Sequence, residues 1–133
     1  MSKKSLHPEW AARVMWAYSH GISVDVWDSQ MIFVTGQIAM DADGNAISPD
    51  DIEKQAHFVF ISIRSILGEA WSSLDDVVKT VIYVTNMEDF AKISPIRNIY
   101  FERSKPASNL VEISRTVKEG CDIEVDVIAI KKK

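Results

Sequence analysis

Two carboxylates, Glu124 and Asp126, stand two residues apart in the run Ile123-Glu124-Val125-Asp126-Val127-Ile128-Ala129. Residues two apart in a strand share a face, so Glu124, Asp126, Ile128 and Ile130 form a row that changes from acidic to apolar along its length. A carboxylate at such a border is partly desolvated, which raises its pKa and suits it to proton transfer. The competing reading is an ordinary exposed strand carboxylate, and on the residues alone it is the stronger one. Tyr18, by the same standard, reads as a packing aromatic.

Other reactive side chains are scattered. His7, His20 and His57 have no spacing that suits a metal or a Ser-His-Asp arrangement, and they read as ordinary surface or helix residues. His20 draws interest only because it follows Tyr18 by two positions. Asp41-Ala42-Asp43-Gly44-Asn45 has the aspartates of a calcium loop but lacks the third acidic position and the closing glutamate, so it reads as a turn. The five glycines form no phosphate-binding loop. No cofactor and no metal is implied. Trp10, Trp16, Trp27 and Trp71 read as core or interface anchors.

The elements that must position these groups follow from periodicity. Ile22, Val24 and Val26 alternate with polar or small neighbours, and Met31 to Thr35 follows a polar break, giving a hairpin with Trp27-Asp28-Ser29-Gln30 as its turn. Ser48-Pro49-Asp50-Asp51 predicts a helix start with Ser48 as N-cap, and Ile52, Ala56, Val59, Ile63, Ile66 and Ala70 make one apolar stripe. Ser73-Leu74-Asp75-Asp76 repeats the cap signature before Val77 to Thr85, a β-branched run placed in the sheet centre. Met87 to Glu102 is a second helix with Phe90, Ile93, Arg97 and Tyr100 on one face and Pro95 in its second turn. Asn109 to Ser114 and Asp122 to Ile130 are the last strands. Residues 1 to 18 read equally as a short helix or an irregular lead-in. The order is ββαβαββ, an α+β sheet with two helices on one face.

The 133 residues, 47% of them hydrophobic, suit a single domain spanning 1–133 with a sizeable core. One cysteine, Cys121, cannot form an internal bridge, and with no signal-peptide pattern the expected compartment is the cytoplasm. A net charge of −4 supplies no field for polyanions. The basic clusters, Lys3-Lys4 and Lys131-Lys132-Lys133, read as solvated, mobile tails. DNA and membrane are therefore discounted as partners, and RNA is disfavoured.

Pro106-Ala107-Ser108-Asn109-Leu110-Val111-Glu112-Ile113, with the run 123–129, resembles the paired closing strands of the RidA/YjgF family of enamine/imine deaminases, where the first run usually reads Pro-Ala-Arg-Ser. Tyr18-Ser19-His20-Gly21 is similar to the family's Tyr-Ser/Val-Gln-Gly segment and Thr35-Gly36-Gln37-Ile38 to its Ser-Gly-Gln-Ile. Leu74 to Val81 with Met87-Glu88-Asp89-Phe90 looks like its central strand and following helix. The resemblance spans nearly the whole chain. It implies a chorismate-mutase-like α+β fold and a homotrimer with a small-molecule cleft between subunits.

The same resemblance implies site residues. Glu124 and Tyr18 would be catalytic, positioning water or the leaving nitrogen, while Gly36, Gln37, Ile38, Ser94, Ser108 and Leu110 would line the substrate pocket. Two of these depart from the family. Ser108 occupies the slot of the arginine that binds the substrate carboxylate, and Ser94 that of an asparagine common in deaminating members; the loop before Pro106 is also shorter than usual. A serine can donate one hydrogen bond but supplies neither charge nor a two-pronged grip. Arg13, Arg97, Arg103 and Arg115 are the candidates to reach the cleft from elsewhere, with Arg115 matching a family arginine read as structural. Three functions compete: a hydrolase of C=N bonds with altered substrate, a non-catalytic binding or regulatory trimer, and an endoribonuclease or translation inhibitor.

Overall fold

The computed structural model describes every residue except Met1, Ala12 and Met15. Six strands, β1 (Lys3–Leu6), β2 (Gly21–Val26), β3 (Ser29–Ile38), β4 (Val77–Val84), β5 (Ala107–Glu112) and β6 (Ile123–Lys132), form one sheet in the order β1-β2-β3-β6-β4-β5. Only β4 and β5 are parallel. Helices α1 (Ile52–Gly68) and α2 (Phe90–Tyr100) cover one face. The α+β arrangement with two helices on one face is the one expected, with β1 added at an edge.

The core is that covered face. Ile32 and Val34 of β3, Ile82 and Val84 of β4, and Ile123, Val125, Val127 and Ala129 of β6 pack against Ala56, Val59, Phe60, Ile63, Ile66 and Leu67 of α1 and Ile93 and Ile96 of α2. These are the alternate residues of each strand and one stripe of each helix, the two periodicities that bury one face of each element. Phe60 joins the helices, stacking on Tyr100 at 5.1 Å and meeting Phe101 edge-on at 5.4 Å.

Several expectations need correction. Lys3–Leu6 is a strand paired with β2, not a tail, because Leu6 is buried and anchors it while the lysines stay in solvent. Lys131 and Lys132 likewise belong to β6, paired with Gln30 and Ser29, and Lys133 lies 3.4 Å from Asp25. The hairpin turn shrinks to Trp27-Asp28, with Trp27 at φ 58. The N-cap of α1 is Asp51, which accepts from the Lys54 amide at 3.1 Å; Ser48 has φ 45, outside the extended conformation a cap adopts.

The second helix proper begins at Phe90, after a single 3₁₀ turn over Met87–Asp89, and it buries Ile93 and Ile96 while Phe90 is exposed. Strand β4 is interior but one place from the edge, since β3 and β6 hold the middle. The closing strands are not paired with each other: β4 lies between β5 and β6. The tryptophans are not core residues either. Trp27, Trp71 and Trp16 are 94%, 84% and 80% exposed, the first two at chain reversals outside the packed layers.

Gln55, on the buried stripe of α1, was not anticipated. Its amide nitrogen donates to the Gly120 carbonyl at 2.6 Å and the Ile47 carbonyl at 3.1 Å, and its oxygen accepts from the Asp122 amide at 2.9 Å. One side chain thus satisfies the backbone of two loops and fixes where β6, and with it Glu124, begins.

Candidate functional site

The uncovered face of the sheet carries Glu124, Asp126, Ile128 and Ile130 from β6, with Tyr83 opposite Glu124 and Phe33 opposite Ile128. Glu124 and Asp126 are half-buried. Burial, and then the neighbouring charge of Asp126, hold the Glu124 carboxyl above the usual carboxylate range. Burial also raises Asp126, against the opposing pull of the Tyr83 hydroxyl, which donates to Oδ2 at 3.2 Å, the Val81 amide and the Lys79 ammonium. Asp126, to which the resemblance assigns no role, belongs to the same desolvated row.

A bulge gives Glu124 its seat. Between Val34 and Gln37 the register of β3 against β6 slips by one residue, and Gln37 bridges the slip by donating to the Thr35 carbonyl at 3.1 Å. Gly36 lies in this bulge, and a Cβ there would come within 2.7 Å of Cδ and 2.9 Å of Cγ of Glu124. The glycine is thus the space the glutamate occupies.

Gly36 also lines an open cavity of ≈ 370 Å³ together with Tyr18, His20, Gln37 and Ile38. Tyr18 and His20 meet edge-on at 6.3 Å, and His20 is buried rather than a surface residue. Four of the sequence-predicted site residues, Tyr18, Gly36, Gln37 and Ile38, therefore share one cavity lining, and Glu124 adjoins it through Gly36 and its strand partner Ile38.

The other three are elsewhere. In the register of β4 with β5, Ser108 is opposite Thr80, whose side chain is buried on the helix side, whereas Glu124 is opposite Tyr83 on the uncovered side. Ser108 and Glu124 thus project from opposite faces. Ser108 lines a separate depression with Arg97, and Ser94 accepts a hydrogen bond from Arg97 at 3.0 Å. Leu110 packs against the core beside it. His57, read as an ordinary surface or helix residue, partners Tyr100, its Nδ1 2.8 Å from the hydroxyl, and so ties α1 to α2.

Asp41 turns its carboxylate on its own loop, accepting from the Asp43 and Asn45 amides at 2.9 Å, as a turn requires. Among the described residues no group of three or more His, Cys, Asp or Glu is placed to hold a metal ion. No helix among them is long and apolar enough to cross a membrane.

A six-stranded sheet with two helices on one face and the other face uncovered defines a two-layer α+β protein. A family model described as endoribonuclease L-PSP matches residues 10–131, and the chain belongs to that family, the one also called RidA/YjgF. It is 39% identical over 132 residues to a RutC family protein of Pyrococcus abyssi, covering 99% of this chain and 100% of that one. It is 36% identical to a RutC family protein of Pyrococcus horikoshii, covering 98% and 99%. Among solved structures, yeast Mmf1 superposes with a TM-score of 0.87 at 27% identity over 98% of this chain and 100% of that one. A Rid-family protein of Yersinia pestis gives 0.84 at 31% identity over 96% and 98%.

Proposed function

We propose that this chain is a Rid-type hydrolase that converts short-lived enamines or imines to a carbonyl compound and ammonia, on a substrate altered by the exchange of arginine for Ser108. The observation that carries this reading is Glu124: a carboxyl with a raised pKa, seated on Gly36 beside the cavity that Tyr18 lines. Held protonated, it donates to the enamine carbon or the imine nitrogen. Once ionised, it accepts a proton from water as the oxygen adds to the C=N carbon. Glu124 returns that proton to the nitrogen of the resulting carbinolamine, the C–N bond breaks to release ammonia, and the hydroxyl gives its proton to the carboxylate as it becomes the carbonyl. Tyr18 supplies a hydroxyl to orient the water or the leaving nitrogen. No step calls for a cofactor.

A homotrimer fits this reading. Ser108 and Glu124 project from opposite faces, so one chain does not close a cleft around both, and a neighbouring copy would bring the second group. The uncovered face offers a surface for that copy, with Phe33 and Ile130 exposed on it. A cytoplasmic location agrees with a chain whose single cysteine, Cys121, has no second thiol to bridge.

A second reading, a trimer that binds a small molecule without turnover, is supported by the serines at 94 and 108, where the resemblance leads one to expect an asparagine and an arginine. Ribonuclease activity, suggested by the family's descriptive name, has less support, since the candidate row on the uncovered face is acidic. Imines generated in situ by an amino-acid oxidase separate the readings. The hydrolase releases ammonia faster than buffer does, with the matching ketoacid as product; the binding module is stabilised by ligand but leaves the ammonia rate unchanged.

A further inference from the structure

Ser108 stands where the resemblance leads one to expect a cation, and the guanidinium of Arg97 shares its depression. Arg97, in the last turn of α2, lines one open depression of ≈ 510 Å³ with Ser108, Lys105 and Glu102. The guanidinium is held in place from its own helix. Nη2 donates to Ser94 Oγ at 3.0 Å and to Asn98 Oδ1 at 3.2 Å, and Nε donates to the same Asn98 oxygen at 3.2 Å.

Of the five N–H groups of an arginine these contacts engage three. The two on Nη1 meet no hydrogen-bond acceptor, and no carboxylate stands within ion-pair distance of the guanidinium, among the described residues. Two of the neutral polar side chains near it, Ser94 and Ser108, stand where the resemblance leads one to expect an asparagine and an arginine. The depression also carries Lys105 as a second cation against the single carboxylate of Glu102.

We infer that Arg97 is a relocated anion anchor, which takes the carboxylate of an amino-acid-derived imine, or of its ketoacid product, from α2 instead of from β5. Ser94 and Asn98 fix the plane of the guanidinium, leaving Nη1 to face the ligand. Ser108 adds a neutral hydroxyl in the space a second arginine would fill. That the anion is a substrate carboxylate rests on the hydrolase reading. Arg97 as a purely structural group, acting on the helix C-terminus alone, would affect stability but not discriminate acid from ester.

The test uses pyruvate, with methyl pyruvate as its uncharged control, and measures binding by titration calorimetry or chemical-shift perturbation. Wild type should bind pyruvate and distinguish it from the ester. Arg97→Gln should weaken pyruvate about 10- to 100-fold and leave the ester unchanged, and Arg97→Gln with Ser108→Arg should regain most of the loss. Arg97→Lys, which keeps charge without the planar fork, should fall between; it serves as the readout if circular dichroism shows the glutamine variant misfolded. Equal pyruvate binding by wild type and a folded Arg97 variant would overturn the inference, as would a wild type that fails to distinguish acid from ester. Arg97-dependent pyruvate binding without ammonia release would sink the hydrolase reading and leave the anchor; turnover indifferent to Arg97 would do the reverse.

Discussion

The carboxyl of Glu124 lies across Gly36 so closely that a Cβ at that position would stand 2.7 Å from its carboxyl carbon. A bulge in one strand and a glutamate in its neighbour are thereby one device: the extra residue on β3 brings a side-chain-free position under Glu124.

Gly36→Ala tests that device. The new methyl has to push the end of a flexible side chain aside, so the fold should survive, with a stability change within about 1 kcal/mol. The displaced carboxyl should lower the hydrolysis rate roughly 10- to 100-fold. Steady-state kinetics paired with a thermal melt check both halves.

The pH dependence of stability carries a definite sign. Glu124 and Asp126 have pKa values above those of unfolded carboxylates, so over the window between the unfolded and the folded values the native chain binds more protons. Their contribution is intact below the unfolded carboxylate value of about 4 and is lost as pH rises through the folded values. Glu124→Gln mimics the protonated form. It should match wild type in urea midpoint at acidic pH and exceed it at neutral pH; a variant less stable than wild type at neutral pH would contradict the burial argument.

Gln55→Leu should be among the most damaging substitutions outside the site. It leaves the Gly120 carbonyl and the Asp122 amide without their partner, at a cost of roughly 2 to 4 kcal/mol. Urea denaturation measures it.

Association through the uncovered face predicts a sedimentation mass of three chains for wild type. Phe33→Glu, on that face opposite Ile128, should weaken assembly roughly 30-fold or more while leaving the monomer's helical circular dichroism in place. A wild-type mass of one chain would exclude the intersubunit cleft.

The parts of this molecule legible in the sequence are those with a strong period or a local motif. The stripe from Ile52 to Ala70 and the alternation through β6 both face the core as their spacing requires. Strand β1 was hidden because an edge strand with three exposed residues and one buried one, Lys3-Lys4-Ser5-Leu6, has no alternation to read. The pairing of β5 with β4 was hidden because both closing runs are β-rich, and only the parallel register, Thr80 opposite Ser108, shows which neighbour each takes.

At the site, resemblance brought Glu124, Gly36 and Tyr18 forward; the structure sets Glu124 against Gly36, and Gly36 in one cavity lining with Tyr18. Arg97 stood among four candidate arginines because its helical spacing places it on a face but not in a depression shared with a residue of another element. Gln55 could have been suspected as a polar residue three places after Ile52 and four before Val59, on the apolar stripe, a position that a buried side chain holds only if it is bonded.

The most direct measurement is the rate of ammonia release from an imine generated in situ, compared between wild type and Glu124→Gln at neutral pH with the folded state of each verified. The hydrolase reading predicts acceleration by wild type and a loss of roughly 100- to 10,000-fold in the variant. Equal rates for wild type, variant and buffer would contradict it, and equal acceleration by wild type and variant would remove Glu124 from the chemistry.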